Sequence, residues 1–293
     1  MKQEYPPWDR NTRRPHTPAP PKSCDSQVHI YDKDQIKHPL RPDTPYRPPD
    51  ATFADVQKVH HTLGIERGVI VQSACYGTDH SLLLEALAKD KEHYRGCAVI
   101  NDSVSDKDLL SLHESGIRGA RFSFAKLLKA SMTEDLFVRS VARIAELGWW
   151  AKVFVFAKDL IDNAKIFQRL EIPVIMDHMG GLDRSQGLEQ EGMQLILDLL
   201  KRGNWWVMLS NGDRDSVTGY PWNDSLPFAR AFIDAAPDRV IWGSDWPHSI
   251  YQGTTVPNDA DLLELLYRFA PDPATRQKIL VDNPARFFGF NSL

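Results

Sequence analysis

The stretch GVIVQSACYGTDHSLLLEALAKDKEHYRGCAVIN, residues 68–101, decides the fold that we expect for this chain. It holds two short apolar runs, 68–74 and 95–101, and between them an amphipathic stretch, 79–92, that begins with Asp79 as a candidate N-cap. Each apolar run has the length of a strand that is buried on both faces. A strand, a helix and a second strand in this order are typical of two parallel strands joined by a crossover helix.

The same alternation continues along the chain. Helix-like segments separate nearly all of the short apolar runs, and two of these segments end on Gly116 and Gly148, which are suited to terminate a helix. The candidate strands are 24–31, 68–74, 95–101, 117–124, 150–156, 173–178, 205–211 and 239–245. Strict alternation predicts a parallel sheet of the α/β class, and eight units favour a closed (β/α)8 TIM barrel. The alternative is an open doubly wound sheet, although the sequence lacks the glycine-rich nucleotide motifs of such sheets.

We expect one domain preceded by an arm. Residues 1–23 are rich in proline and polar residues and show no helical or strand period, which predicts an extended N-terminal arm. The barrel then spans residues 24–293. A second Pro-rich stretch, 38–52, follows the first strand, and loops of this length in a compact domain are often functional.

The composition excludes several classes of protein. A net charge of −4 provides no positive field for nucleic acid, and no apolar run approaches the roughly 20 residues that span a bilayer. Cys24, Cys75 and Cys97 form no C-x-x-C pair, and the N-terminus has no apolar signal segment. We therefore expect a cytoplasmic protein without nucleic-acid or membrane partners; a monomer and a homo-oligomer are both compatible with the sequence.

Polar side chains stand at the ends of the predicted strands, where barrels of this kind carry their active sites. They are Gln27, His29, Ser73, Tyr76, Arg121, Lys126, His178, Asn211, Arg214, Asp245 and His248. An Asp beside imidazoles can act as a general base, and imidazole and amide N–H groups can stabilise an oxyanion. Arginine matches a carboxylate in bidentate geometry. Together these groups predict an active site that binds an anionic substrate.

Each of these residues, taken singly, also has a structural interpretation. A histidine after a strand is commonly a hydrogen-bonding group of the fold, and Asp245 could cap a helix. Arg121 could pair with a structural carboxylate, and Lys126 could be a solvated loop charge. Tyr46, in the Pro-rich loop, could be either a packing aromatic or a substrate contact.

Three segments carry a resemblance to a known family. D-x-Q-x-H at 25–29, DHMG at 177–180 and VIWGSDWPH at 240–248 resemble the amidohydrolase superfamily, and within it the 2-pyrone-4,6-dicarboxylate lactonase group. The segments VIVQSACYGTD (69–79), IRGARFSFAK (117–126) and DNPARFFGF (282–290) support the resemblance, which covers nearly the whole chain after about residue 22.

The resemblance implies a hydrolase of a small acidic lactone that acts in aromatic-compound catabolism. Asp245 would activate water, while His29 and His178, with Gln27, would polarise the lactone carbonyl. Arg121 and Arg214 match the substrate-binding arginines of the family. The remaining residues expected to line the site are Tyr46, Ser73, Tyr76, Lys126, Asn211 and His248.

The sequence departs from the family pattern in three places. Gln27 replaces the first His of H-x-H and is a poor ligand for Zn²⁺ or Mn²⁺, and the fifth strand, 150–156, contains no His. We therefore expect catalysis without a metal; the alternative is a weak Zn²⁺ or Mn²⁺ site at His29, His178 and Asp245. Third, Leu127 stands where the family has a second arginine, which predicts a monocarboxylate lactone or one with a differently placed anion, such as a sulfonate.

Other functions on the same fold are a lactone isomerase of the galactarolactone type and a metal-dependent decarboxylase. A protein that only binds small anions, having lost a metal ligand at Gln27, is an alternative from another class. Incorporation of ¹⁸O from water distinguishes hydrolysis from isomerisation, because an isomerase uses a hydroxyl of its own substrate as the attacking group.

Overall fold

A computed structural model describes residues 3–44, 46–125, 132–253 and 255–290. Lys126 and Leu127, which the sequence analysis singles out, lie outside the described residues. All eight predicted barrel strands are confirmed. They are β1 Cys24–Val28, β2 Arg67–Val71, β3 Tyr94–Val99, β4 Ile117–Ser123, β5 Trp150–Phe154, β6 Val174–Met176, β7 Trp205–Leu209 and β8 Val240–Trp242. Every strand pairs in parallel with its neighbours in chain order.

The first and last strands meet and close the barrel. Val28 forms a parallel bridge with Trp246, and the His29 N–H donates to the Trp246 carbonyl over 2.7 Å. One step earlier, the Asp245 N–H donates to the Gln27 carbonyl over 3.1 Å. Gly243 permits this approach, because a Cβ there would lie 3.0 Å from the Gln27 nitrogen. The (β/α)8 barrel is therefore confirmed, and the open-sheet alternative is wrong.

Helices cover the outside of the barrel. Within the described residues they are α1 Phe53–Leu63, α2 Ser81–Lys89, α3 Asp106–Glu114, α4 Glu134–Glu146, α5 Ala157–Asp162, α6 Ala164–Phe167, α7 Glu191–Lys201, α8 Leu226–Ala235, α9 Asp259–Phe269, α10 Pro273–Gln277 and α11 Asn283–Phe288. Short 3-10 turns cover Asp177–Gly181, Arg184–Gln186 and Asn223–Ser225, and a π-helical turn covers Lys278–Asp282. None of the helices among the described residues combines the length and the apolar character that crossing a membrane requires.

Helix α2 begins differently from the prediction. His80, not Asp79, occupies the N-cap position and makes no side-chain cap. The Asp79 carboxylate instead accepts from the Ser81 N–H over 3.0 Å, one residue further from the helix than a regular cap. Gly116 and Gly148 follow α3 and α4 with φ angles of 103° and 66°, the left-handed conformation expected at helix ends.

Two apolar layers hold the barrel. Side chains from alternate strand positions, such as Val69, Cys97 and Met208, fill the interior, and Phe288 and Phe290 pack against them. The opposite faces of the strands pack against the helices in a second, larger core. Because side chains fill the interior, a ligand cannot lie along the barrel axis, and barrels of this kind carry their active sites at the C-terminal mouth.

The N-terminal arm lies against the barrel domain. Trp8 is buried, and its ring centroid lies 4.8 Å from that of Trp246, the residue after Asp245. Further along the arm, the Arg13 guanidinium contacts Asp261 at 2.5 Å and Glu264 at 2.8 Å on α9. The arm thus supports the loop that follows β8.

Candidate active site

A small cavity opens where the barrel strands end. Its lining is His29, Tyr31, Tyr46, Ser73, Ala74, Arg121, Phe154, His178, Arg214, Asp245, Ser249 and Ile250. Residues that are far apart in the sequence therefore meet at one mouth, as predicted from their positions at strand ends.

Asp245 is the centre of the cluster. Its Oδ1 accepts from Gln27 Nε2 over 2.6 Å and lies 3.3 Å from His29 Nε2. Its Oδ2 lies 3.5 Å from Arg214 Nη1 and 4.0 Å from His178 Nε2. Burial raises the pKa of the carboxyl, but His178, His29 and Arg214 outweigh burial and hold that pKa well below its ordinary value. Asp245 is consequently a buried carboxylate that stays ionised at neutral pH.

His178 is a neutral ring. Burial lowers its pKa to about 4, and the nearby carboxylates Asp245 and Asp177 only partly oppose this. A neutral ring attracts Asp245 weakly, so at neutral pH we ascribe the low pKa of Asp245 to Arg214 and to the hydrogen bond from His29. The Nδ1 of His178 lies 2.7 Å from Ser210 Oγ.

Asn211 joins the base to its neighbours. With the amide oriented to suit its partners, Nδ2 donates to Asp245 Oδ2 over 3.3 Å. Its Oδ1 accepts from His178 Nδ1 over 2.7 Å and from Arg214 Nη2. This assigns the hydrogen of His178 to Nδ1, so the Nε2 lone pair faces the Gln27 amide nitrogen 3.4 Å away. Asn211 therefore orients the site from behind and is not part of the cavity lining.

His29 is held between two oxygens. Its Nδ1 lies 2.7 Å from the Val71 carbonyl and its Nε2 lies 3.3 Å from Asp245 Oδ1. Both oxygens are acceptors only, so a ring with hydrogen on both nitrogens satisfies both. In that state Nε2 carries the proton closest to the base.

Arg121 points across the mouth from β4. Its Cζ lies 5.2 Å from the Phe154 ring centroid, and its Nε lies 3.9 Å from Asp177 Oδ2. Asp177 is already paired with Lys152, whose Nζ lies 2.7 Å from its Oδ1, and both of these side chains are fully buried. Because Lys152 neutralises Asp177, Arg121 keeps a net positive charge beside the cavity. Pairing with a structural carboxylate, Asp177, therefore accounts for only one of the contacts of Arg121.

Tyr46 and Ser73 line the cavity, whereas two other predicted contacts do not. Tyr46 lies with its hydroxyl 3.3 Å from that of Tyr31, and burial raises its pKa well above the ordinary value, so the hydroxyl keeps its proton. Tyr76 stacks on Tyr31 and accepts from the Asp32 N–H, which places it behind the site. His248 turns away, with Nε2 3.0 Å from Asp259 on α9. The predictions of Tyr76 and His248 as lining residues are thus corrected.

Lys152 was not predicted from the sequence, and Tyr31, Phe154 and Ser249 were not predicted as site residues. A signal for Lys152 exists: it is the one charged residue in the run WAKVF and shares its strand face with Trp150 and Phe154. A lysine on the inward face of a barrel strand requires a buried partner, and here that partner is Asp177.

The side chains at this mouth do not form a metal-binding set. The Gln27 amide nitrogen, a donor, lies 2.6 Å from Asp245 Oδ1 and 3.4 Å from His178 Nε2, and so takes the place between them that a shared cation would need. In the part of the chain that the structure describes, no group of three or more His, Cys, Asp or Glu side chains is arranged to hold a metal ion. No catalytic step is therefore derived through a metal.

Comparison with known proteins gives consistent relatives. A family model described as Amidohydrolase matches residues 24–290. A 2-pyrone-4,6-dicarboxylate hydrolase of Comamonas testosteroni is 34% identical over 290 residues, which cover 96% of this chain and 94% of that protein. A 4-sulfomuconolactone hydrolase of Rhizobium radiobacter is 36% identical, covering 92% of this chain and 91% of that one.

Two further relatives extend the comparison. A D-galactarolactone isomerase of Agrobacterium fabrum is 28% identical, covering 94% of this chain and 93% of that one. Among solved structures, an apo protein of Agrobacterium tumefaciens superposes with a TM-score of 0.85 at 26% identity, covering 95% of this chain and all of that one.

Proposed function

We propose that this chain, which belongs to the amidohydrolase family, is a lactone hydrolase that opens the ring of a small acidic lactone. The observation that carries the proposal is the buried, ionised carboxylate of Asp245, which lies within 3.5 Å of Gln27, His29 and Arg214 at the mouth of the barrel. The names of the Comamonas testosteroni and Rhizobium radiobacter relatives, both lactone hydrolases, support the reaction type.

Asp245 is the general base for water. A water molecule beside its carboxylate gives up a proton to Asp245 as its oxygen forms a bond to the lactone carbonyl carbon. The tetrahedral intermediate then collapses, the bond from carbonyl carbon to ring oxygen breaks, and the ring oxygen takes back the proton from Asp245. One water is consumed, and the opening yields a hydroxyl group and a carboxylic acid, which releases its remaining proton to solvent and becomes a carboxylate.

The oxyanion of the intermediate is stabilised by His29, whose Nε2 lines the cavity 3.3 Å from Asp245 Oδ1. Gln27 takes a supporting role, because its two amide hydrogens are directed to Asp245 Oδ1 and to His178 Nε2. His178 takes a different role from the one that the sequence predicts. Its hydrogen lies on Nδ1, so its Nε2 accepts from the Gln27 amide and orients it instead of polarising the carbonyl itself.

Arg214 links substrate binding to base strength. In the free site its guanidinium lies 3.5 Å from Asp245 Oδ2 and weakens the carboxylate as a base. An acidic group of the substrate that pairs with Arg214 draws this charge away from Asp245. The pKa of Asp245 then rises toward the range in which a carboxylate removes a proton effectively.

Asp245→Asn tests the assignment of the base. The variant keeps the size of the side chain and one acceptor oxygen for Gln27 and His29, so kcat should fall by about a thousandfold while KM stays similar. Hydrolysis of acidic lactones is followed by acid release. An unchanged kcat would refute the role of Asp245.

Hydrolysis has one rival with specific support, lactone isomerisation, because the galactarolactone isomerase is also a relative. Turnover in ¹⁸O-labelled water separates the two reactions. Hydrolysis places one label in the product carboxylate, whereas an isomerase that uses a substrate hydroxyl leaves the product unlabelled.

Catalysis without a metal is part of the proposal, and the position of the Gln27 amide between His178 and Asp245 supports it. Prolonged dialysis against a chelator should leave kcat within about twofold of the untreated enzyme, since the described residues of the site offer no ligand set that a chelator could empty. Loss of activity that Zn²⁺ or Mn²⁺ restores would refute this part.

The setting of the reaction follows from two observations. The names of the two lactone hydrolases support a place in the breakdown of aromatic compounds. Cys24, Cys75 and Cys97 are free and buried, which supports a reducing compartment, the cytoplasm. The proposed partner is a small acidic lactone.

A further inference from the structure

Strand β1 contains a bulge at the residue that contacts the base. In the pairing of β1 with β2, the two residues Ser26 and Gln27 stand opposite the single residue Val69. An extra residue of this kind bends a strand and changes the direction of its side chains. Asp25 contacts His60 on α1, outside the barrel, whereas Gln27 contacts the base at the mouth. In a regular strand residues two apart share a face, so the bulge is what directs Gln27 to the base.

The side chain of Asp25 joins this bulge to the segment that carries the base. Its Oδ1 accepts from the Gln27 N–H over 3.1 Å and from the Ser244 N–H over 2.9 Å. Ser244 directly precedes Asp245, so a single oxygen atom holds both the strand of Gln27 and the segment of the base. Backbone N–H groups bind a carboxylate more strongly than a neutral acceptor, which makes aspartate well suited to this place.

The base stands on a turn that depends on these contacts. Asp245 has a φ of 61°, an uncommon conformation for a residue with a side chain. The Ser244 N–H donates to Asp25, and the Asp245 N–H donates to the Gln27 carbonyl over 3.1 Å. The next N–H, that of Trp246, donates to Ser244 Oγ over 3.0 Å. Two of these three acceptors belong to β1, so the position of the base depends on the shape of β1.

The burial of Asp25 is costly for the fold. Its side chain is 1% exposed, and within the described residues its Oδ2 has no hydrogen-bond partner. His60 Nε2 lies 3.4 Å from that oxygen, and the Tyr94 hydroxyl lies 2.9 Å from Nδ1 of the same ring. An apolar side chain would fill this place without burying a carboxylate oxygen that lacks a hydrogen bond. The contacts of Oδ1 therefore give the reason for a carboxylate at this position.

We propose that Asp25 is a positioning residue, which fixes the β1 bulge so that the Gln27 amide orients the Asp245 carboxylate. The proposal rests on the proposed lactone hydrolysis, in which Asp245 is the base. Asp25 is not part of the cavity lining, so it acts through Gln27 and Ser244 and not by contact with the substrate. Its removal should therefore change kcat and not KM.

A double-variant cycle with Gln27 tests the proposal. On a 2-pyrone dicarboxylate, Asp25→Ala should lower kcat by about 10- to 100-fold and change KM by less than about twofold, because the base is misaligned while the anion-binding arginines are not. In the Gln27→Ala background the same change should cost at least about fivefold less in kcat, because the group that Asp25 positions is already absent. Asp25→Asn keeps an oxygen for the two N–H groups and should recover part of kcat. Equal losses of kcat in both backgrounds would overturn the proposal.

A control variant separates misalignment of the base from loss of stability. Leu83→Ala removes a buried side chain of α2 that is not part of the cavity lining. It should lower the free energy of unfolding in urea and leave kcat within about twofold of the wild type. A loss of kcat as large as that of Asp25→Ala would show that lost stability alone lowers kcat, which overturns the proposal. If Asp25→Ala does not fold, Asp25→Asn takes its place in the cycle, with an expected loss of about three- to tenfold in the wild type and less than about twofold in Gln27→Ala.

A spectroscopic measurement separates this proposal from the proposed reaction. The side-chain amide signals of Gln27 in a ¹⁵N NMR spectrum are identified by their loss in Gln27→Ala. Asp25→Ala should shift these signals, since the hydrogen bond from Gln27 to Asp245 is altered, and Leu83→Ala should leave them in place. If no lactone is hydrolysed but the signals respond to Asp25, the proposed function fails and the positioning role stands. If lactones are hydrolysed and the signals do not respond, the positioning role is refuted.

Discussion

The ion pair between Lys152 and Asp177 lies inside the barrel, and Lys152→Met should strongly destabilise the protein. The two groups are 2.7 Å apart and fully buried, so removing the lysine leaves a buried carboxylate without its nearest cation. Losing one partner of a buried pair costs about 3–5 kcal/mol. Arg121 lies 3.9 Å from Asp177 and can move toward it, so we expect about 3 kcal/mol, the lower end of that range.

Urea denaturation measures this loss, with a matched control in the same protein. Lys158 and Asp162 are also an ion pair, at 2.8 Å, but their side chains are 82% and 54% exposed. Lys158→Met should therefore change the free energy of unfolding by less than about 0.5 kcal/mol. The double variant Lys152→Met/Asp177→Leu should recover much of the lost stability, because the buried carboxylate that lost its partner is then removed as well.

The same change should also alter substrate binding. Once Lys152 is gone, Arg121 becomes the main counter-charge of Asp177, and its positive charge is no longer available to an anion in the cavity. KM for acidic lactones should rise by about tenfold or more, while kcat changes less. A loss of unfolding free energy below about 1 kcal/mol in Lys152→Met would refute the reasoning, since it would mean that Asp177 is not a buried charge that needs its partner.

Two further predictions concern other contacts of the site. Burial lowers the pKa of His178 to about 4. The stability that the neutral ring contributes is therefore complete above the unfolded pKa near 6.5 and is lost as pH falls toward 4. The loss in the free energy of unfolding should reach up to about 3 kcal/mol. Urea titrations at pH 7 and pH 4 should show that the free energy of unfolding of His178→Asn lacks this part of the pH dependence. The wild-type pH dependence in the variant would contradict the prediction. Trp8→Ala should cost about 3 kcal/mol and lower kcat, because Trp8 packs on Trp246 beside the base. Unfolding and turnover measurements check this, and wild-type values for both would show that the arm is dispensable.

Sequence reasoning succeeded where side-chain pattern and backbone geometry agree. Each buried strand is an apolar run bounded by polar residues or glycine, and these runs predicted all eight strands. The strands proved shorter at their C-terminal ends; β8 ends at Trp242 although the predicted run reaches Asp245. The last residues of each run leave the sheet, since their polar side chains serve the site and not the core.

Beyond the strand ends the alternation rule no longer predicts direction. His178, Asn211, Asp245 and His248 all have φ between 51° and 61°, an uncommon conformation for residues other than glycine. Such a residue turns the chain, so strand alternation does not predict where the next side chain points. For this reason His248 was wrongly placed in the cavity, whereas Gln27, still within its strand, was correctly placed beside the base.

The sequence by itself determined the strand–helix alternation, the family and the group of polar residues that meet at the barrel mouth. Only the tertiary structure decided how they act on one another. Gln27 and Asp245 are 218 positions apart and meet because the first and last strands close the barrel. Lys152 neutralises Asp177 because of a contact across the fold that no local pattern encodes. Charge balance in a buried space depends on distances between such residues, and those distances exist only once the barrel is closed.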